Sequence, residues 1–131
     1  LNAYTIGLRR PSDGTLIAFF AQSTASYGDA VLRFSLCNVT PAYAVVSTGF
    51  TPTVGVMYWF WIAWKSATEA YWAISTDLTS APVASGDLQT TGALAVLSGD
   101  LGPTGRSFEG GLDTAVLVWD VVEIATTTRK A

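Results

Sequence analysis

The sequence predicts an all-β fold, an antiparallel β-sandwich, on three observations. Turn-forming residues recur at short intervals, apolar residues fall in short runs between them, and no segment sustains a helical period. The turn clusters are Pro11-Ser12-Asp13-Gly14, Tyr27-Gly28-Asp29, Pro41, Pro52, Pro82 with Gly86-Asp87, Gly99-Asp100 with Gly102-Pro103, and Gly110-Gly111. All five prolines lie between the apolar runs, where a missing N–H removes no ladder bond.

Taken in order, the runs place strands at residues 4–8, 15–21, 31–37, 42–47, 56–64, 70–75, 93–97 and 115–124. In the third, Leu32, Phe34 and Leu36 alternate with Arg33 and Ser35, so the apolar set faces a core and the polar set faces outward. Cys37, at its end, reads as a small core residue. In the fifth, Trp59, Trp61 and Ala63 share one face, and Tyr58, Phe60, Ile62 and Trp64 share the other. Both faces are apolar, so periodicity does not say which turns inward, and a central strand covered on both sides is expected. The seventh run is rich in Ala and Leu, which serve helices equally well. Residues 126–131 read as a polar tail or the start of a connection. One domain spans the 131 residues.

Composition narrows the function classes. Charged residues make up 13% of the chain, against about 25% in an average domain; such a surface is expected to be covered in part by neighbouring protein or by a ligand. Net charge is −3, and the basic residues (Arg9, Arg10, Arg33, Lys65, Arg106, Arg129 and Lys130) are scattered. No basic stripe tracks a phosphate backbone or an anionic membrane, so neither nucleic acid nor membrane insertion is expected. The longest apolar run, residues 56–64, falls well short of a membrane helix. The chain has one cysteine and no histidine, which removes an internal disulfide, the usual Ser-His and Cys-His catalysts, and most zinc sites.

Three segments, residues 4–11, 59–64 and 108–120, resemble, in that order, the concanavalin A-like lectin/glucanase superfamily in its laminin-G-like (LamG) branch. Tyr4-Thr5-Ile6-Gly7-Leu8-Arg9-Arg10-Pro11 resembles the opening strand, with Leu8 where the family has Trp. Trp59-Phe60-Trp61-Ile62-Ala63-Trp64 resembles the central strand, with Trp59 and Ala63 at the motif positions; Thr76-Asp77-Leu78 stands where Asp-Gly usually follows the next strand. Phe108-Glu109-Gly110-Gly111-Leu112-Asp113, leading into Ala115–Asp120, resembles the closing strand through Phe108, Gly110 and Asp113, with Thr114 in place of the usual acid. The resemblance implies a jelly roll of two antiparallel sheets.

The same resemblance marks Asp113 as a metal or catalytic carboxylate, but a turn aspartate accepting backbone N–H groups is the commoner role. Glucanases of the superfamily carry alternating Glu and Asp on one strand. Here Glu69, Glu109 and Glu123 have no acidic partner two residues away, and no enzyme activity is expected. The resemblance also raises calcium, which needs six to eight oxygen ligands. Asp13, Asp29, Asp77, Asp87 and Asp100 sit in turns but form no dense cluster, so no cofactor or metal is assigned. Aromatic side chains can stack on sugar rings or pack on a partner. The expected ligand-binding set is Trp61, Tyr71 and Trp72, with Arg33 nearby. Asn38-Val39-Thr40 fits an N-glycosylation acceptor, a triplet that arises often by chance.

The reading is a non-catalytic recognition or adhesion module of a larger extracellular, cell-surface or virion protein, binding a glycan or protein partner. A virion structural component, decoration or tail-associated and self-associating through the sandwich, is the main rival. A glycoside hydrolase is the weaker one.

Overall fold

The structure, a computed structural model, describes residues 2–53, 55–95 and 102–109. Their elements are β1 (Asn2–Arg9), β2 (Leu16–Ser23), the one-turn helix α1 (Thr24–Tyr27), β3 (Arg33–Cys37), β4 (Tyr43–Ser47), β5 (Trp59–Trp64), β6 (Glu69–Ser75), β7 (Ala84–Gln89) and β8 (Gly102–Glu109). Every pairing is antiparallel. One sheet runs β4-β3-β2-β1-β8 and the other β5-β6-β7. The expected antiparallel β-sandwich is therefore the architecture found. Neighbours follow the chain as hairpins, except where β8 returns to lie beside β1.

The core lies between the sheets. Phe20, Leu32, Phe34 and Leu36 come from the five-stranded side, and Ala70, Trp72 and Ile74 from β6. Phe20 is the hub, with ring centroids 4.9 Å from Phe34, 4.9 Å from Phe60 and 6.2 Å from Trp72. Burying each such side chain contributes about 1.5–3 kcal/mol. The inward face of β5 is Phe60, Ile62 and Trp64, the parity that periodicity left open. A second, smaller cluster (Ile17, Cys37 and Ala95, backed by Trp64) closes one end. Cys37 is thus the buried residue expected.

Two glycines sit inside strands because a neighbour takes their side-chain space. A Cβ on Gly7 would stand 2.7 Å from Phe19 Cβ, directly across the β1–β2 ladder. A Cβ on Gly86 would meet the Trp72 indole at 3.0–3.3 Å.

Several expectations need correcting. Gly86-Asp87 and Gly102-Pro103, read as turns, lie within β7 and β8. Among the described strands β6, not β5, is central in its sheet. Of residues 93–97, the described part makes one bridge, Leu94 with Asn38, rather than a strand. Ser35 faces away from the core as expected, yet is only 3% exposed; Phe19 and Val45 stand opposite it on the flanking strands. Of the closing motif, Phe108 lies on β8 opposite Ala3, whereas Gly110, Asp113 and the strand at 115–124 lie outside the described residues. No described helix is long and apolar enough to cross a membrane.

Candidate functional site

Register places the outward side chains of the three-stranded sheet in rows. Trp61 lies opposite Ala73 and then Ser85, Ala63 opposite Tyr71 and then Asp87, and Trp59 opposite Ser75. Glu69 and Gln89 form a further row, continued by Lys65, whose N–H donates to Glu69 O at 2.9 Å. Trp59, Trp61 and Tyr71 are partly exposed, and small side chains stand between them: Ala63, Ala73 and Ser75 are buried. Trp61 and Tyr71 are diagonal neighbours on adjacent strands, a separation of roughly 7–8 Å between backbones. Large, partly exposed rings thus stand beside small residues on this face, with Ser85, Asp87 and Gln89 along one side.

The polar end of this face is a three-residue ion cluster. Lys65 Nζ donates to Asp87 Oδ2 at 2.6 Å and lies 3.5 Å from Glu69 Oε1. The hydrogen bond to Asp87 is the main reason the Lys65 ammonium is held above the usual lysine range. The exposed pairs contribute little to stability, but they fix two carboxylates beside Tyr71.

The expected ligand-binding set divides. Trp61 and Tyr71 share this face. Trp72 is corrected to a core residue: it is 4% exposed, packed edge-on to Phe20 and tilted against Phe34, because its parity on β6 points between the sheets. Arg33 is corrected too. It belongs to the five-stranded sheet, where its guanidinium donates to Asp29 Oδ1 and Oδ2 at 2.7 and 2.9 Å and to Val31 O at 2.6 Å. It also lies 4.5 Å over the Tyr27 ring. That fork, followed by the Val31 N–H, holds the Asp29 carboxyl below its usual range. The motif residues Trp59 and Ala63 sit on the same outer face as Trp61, as their alternation predicts.

Lys65, Glu69, Asp87 and Ser85 were missed as members of the site. The signal for the last two was present: Ala84, Gly86 and Leu88 alternate with Ser85, Asp87 and Gln89, the period of a strand. Gly86-Asp87 read as a turn because only the Trp72 ring across the ladder explains a glycine there.

Three of the turn aspartates are engaged by local donors. Asp13 accepts from the Arg10 guanidinium and the Thr15 N–H, Asp29 from Arg33, and Asp77 from Thr79 and Ser80. Each carboxylate is thus held by local donors, and the described residues bring no three His, Cys, Asp or Glu side chains into a metal-holding group. Asp100 lies outside the described residues. No family model, no curated protein and no solved structure matches this chain.

Proposed function

We propose that this chain is a non-catalytic recognition module and that the outer face of the three-stranded sheet binds a glycan. The observation that carries the reading is the pairing of Trp61 and Tyr71 on adjacent strands, with Asp87 directly beside Tyr71 and bound to Lys65. Sugar rings offer apolar C–H faces to aromatic rings and hydroxyls to carboxylate, amide and ammonium groups. This face supplies both, on strands whose backbones are fixed by their ladders. The LamG-like resemblance, a fold used for recognition, supports the same reading.

Glu69 and Asp87 both contact one ammonium, so their carboxylates lie close enough to raise hydrolysis as a rival. The Lys65 ammonium, in contact with both, opposes it by engaging the two carboxylates a hydrolytic pair would need free.

The test is glycan-array binding by the intact chain, Trp61→Ala and Tyr71→Ala. Loss of signal of about tenfold or more in each variant, with an unchanged far-ultraviolet spectrum, is expected. Binding that survives both substitutions removes the face from consideration. Polysaccharide hydrolysis that disappears in Glu69→Gln or Asp87→Asn makes the chain an enzyme instead.

A further inference from the structure

Between Arg33 and Lys65 the sequence has 31 consecutive uncharged residues, Phe34 to Trp64. Strand β4 lies within this stretch and, among the described strands, ends the five-stranded sheet. Its hydrogen bonds to the sheet are made by even-numbered residues: Asn38 N–H donates to Ala42 O and Thr48 N–H to Leu32 O, both at 3.0 Å. In an antiparallel ladder alternate residues direct both N–H and C=O to the same side. Tyr43, Val45 and Ser47 therefore turn theirs away from β3, and none of those groups finds a partner among the described residues.

Such edges are normally blunted by charge, proline or a bulge. Within Tyr43–Ser47 there is no charged residue and no proline, and the β3–β4 register is unbroken. Two of its outward side chains stay open: Tyr43 is 48% and Val45 49% exposed.

We infer that β4 is a pairing edge for a second copy of this chain, antiparallel, about a two-fold axis through Val45. The strand is self-complementary in that register. Val45 faces Val45 of the partner subunit, and Tyr43 faces Ser47 of the partner subunit, so no like charges meet. All three outward residues contribute, giving about six backbone hydrogen bonds, two for each facing pair. The side chains of Tyr43 and Val45 gain cross-strand neighbours on the outer face, next to the Phe19–Tyr43 edge contact at 5.8 Å. A two-fold interface repeats every charge it contains against itself, so a charge-free edge suits it. The pairing is independent of what the Trp61 face binds.

Sedimentation velocity and light scattering on the whole chain test this. The expected result is a reversible dimer, about twice the 13.8 kDa chain mass. Val45→Lys sets two ammonium groups against each other and raises the dissociation constant by roughly tenfold or more, whereas Val45→Thr leaves it near wild type. Val45→Cys closes a disulfide-linked dimer on mild oxidation; Val83→Cys, equally exposed elsewhere, does not. Circular dichroism confirms that each variant folds. A chain that stays monomeric at high micromolar concentration overturns the proposal and leaves the edge to a strand of another protein. A dimer indifferent to Val45→Lys, or open-ended oligomers, also overturns it.

Discussion

Asn38 carries more of the fold than its sequence context suggests. It is 4% exposed, and both ends of its amide are engaged: Nδ2 donates to Thr91 O at 2.9 Å, while Oδ1 accepts from Thr40 N, Thr40 Oγ1 and Ala42 N at 2.8–3.0 Å. It closes the β3–β4 turn and ties it to the loop that precedes Leu94. Asn38→Ala strands these buried groups, and a loss of about 2–4 kcal/mol in chemical denaturation is expected. The triplet that fits a glycosylation acceptor is therefore a structural clamp, and mass spectrometry of the chain expressed through a eukaryotic secretory pathway should find Asn38 unmodified. Sequence spacing shows the triplet but not the partner at Thr91, 53 residues away. Trp72 was illegible for the same reason. Its aromatic type suggested a binding surface, whereas its ring fills the space left by Gly86 and its Nε1 finds no partner among the described residues.

At the scale of elements, the legible parts were those whose alternation was unbroken. Leu32, Phe34 and Leu36 announce β3 and its core face, and all three are buried. On β5 every position is large or apolar, so its inward parity emerged only from contacts such as Phe60 with Phe20. β8 was hidden by Gly102, Pro103 and Gly105, residues of turns that here lie on the outermost of the described strands, beside β1, where a proline is tolerated. The β6–β7 connection is held by Asp77, whose carboxylate accepts the N–H groups of Thr79 and Ser80 at 2.8 and 2.6 Å and both hydroxyls. These bonds, Ser80's foremost, hold its carboxyl well below the usual range. The unfolded chain then binds the proton first, starting near pH 4. Above that pH the stabilisation is complete, and it drains away as pH falls toward the folded-state value. Melting curves from pH 5 downward should fall more steeply for the native chain than for Asp77→Asn, which should melt a few degrees lower at neutral pH.

The whole molecule separates its two outer surfaces by chemistry. The three-stranded sheet presents Trp59, Trp61 and Tyr71 with a charged end at Lys65, Glu69 and Asp87. The five-stranded sheet presents Phe19, Tyr43 and Val45 on and beside a β4 strand without charge, with the Arg33–Asp29 pair one strand in, opposite Ser47. The low charge of the sequence suggested covered surface but did not say where, because strand pairing decides which residues become neighbours. The most direct test of the recognition face is a nuclear magnetic resonance titration with a panel of neutral oligosaccharides, following indole N–H signals. The account predicts that Trp59 and Trp61 shift in a saturable manner with Tyr71, while Trp72, inside the core, stays in place. Shifts confined to the five-stranded sheet, with Trp59, Trp61 and Tyr71 unmoved, would contradict it.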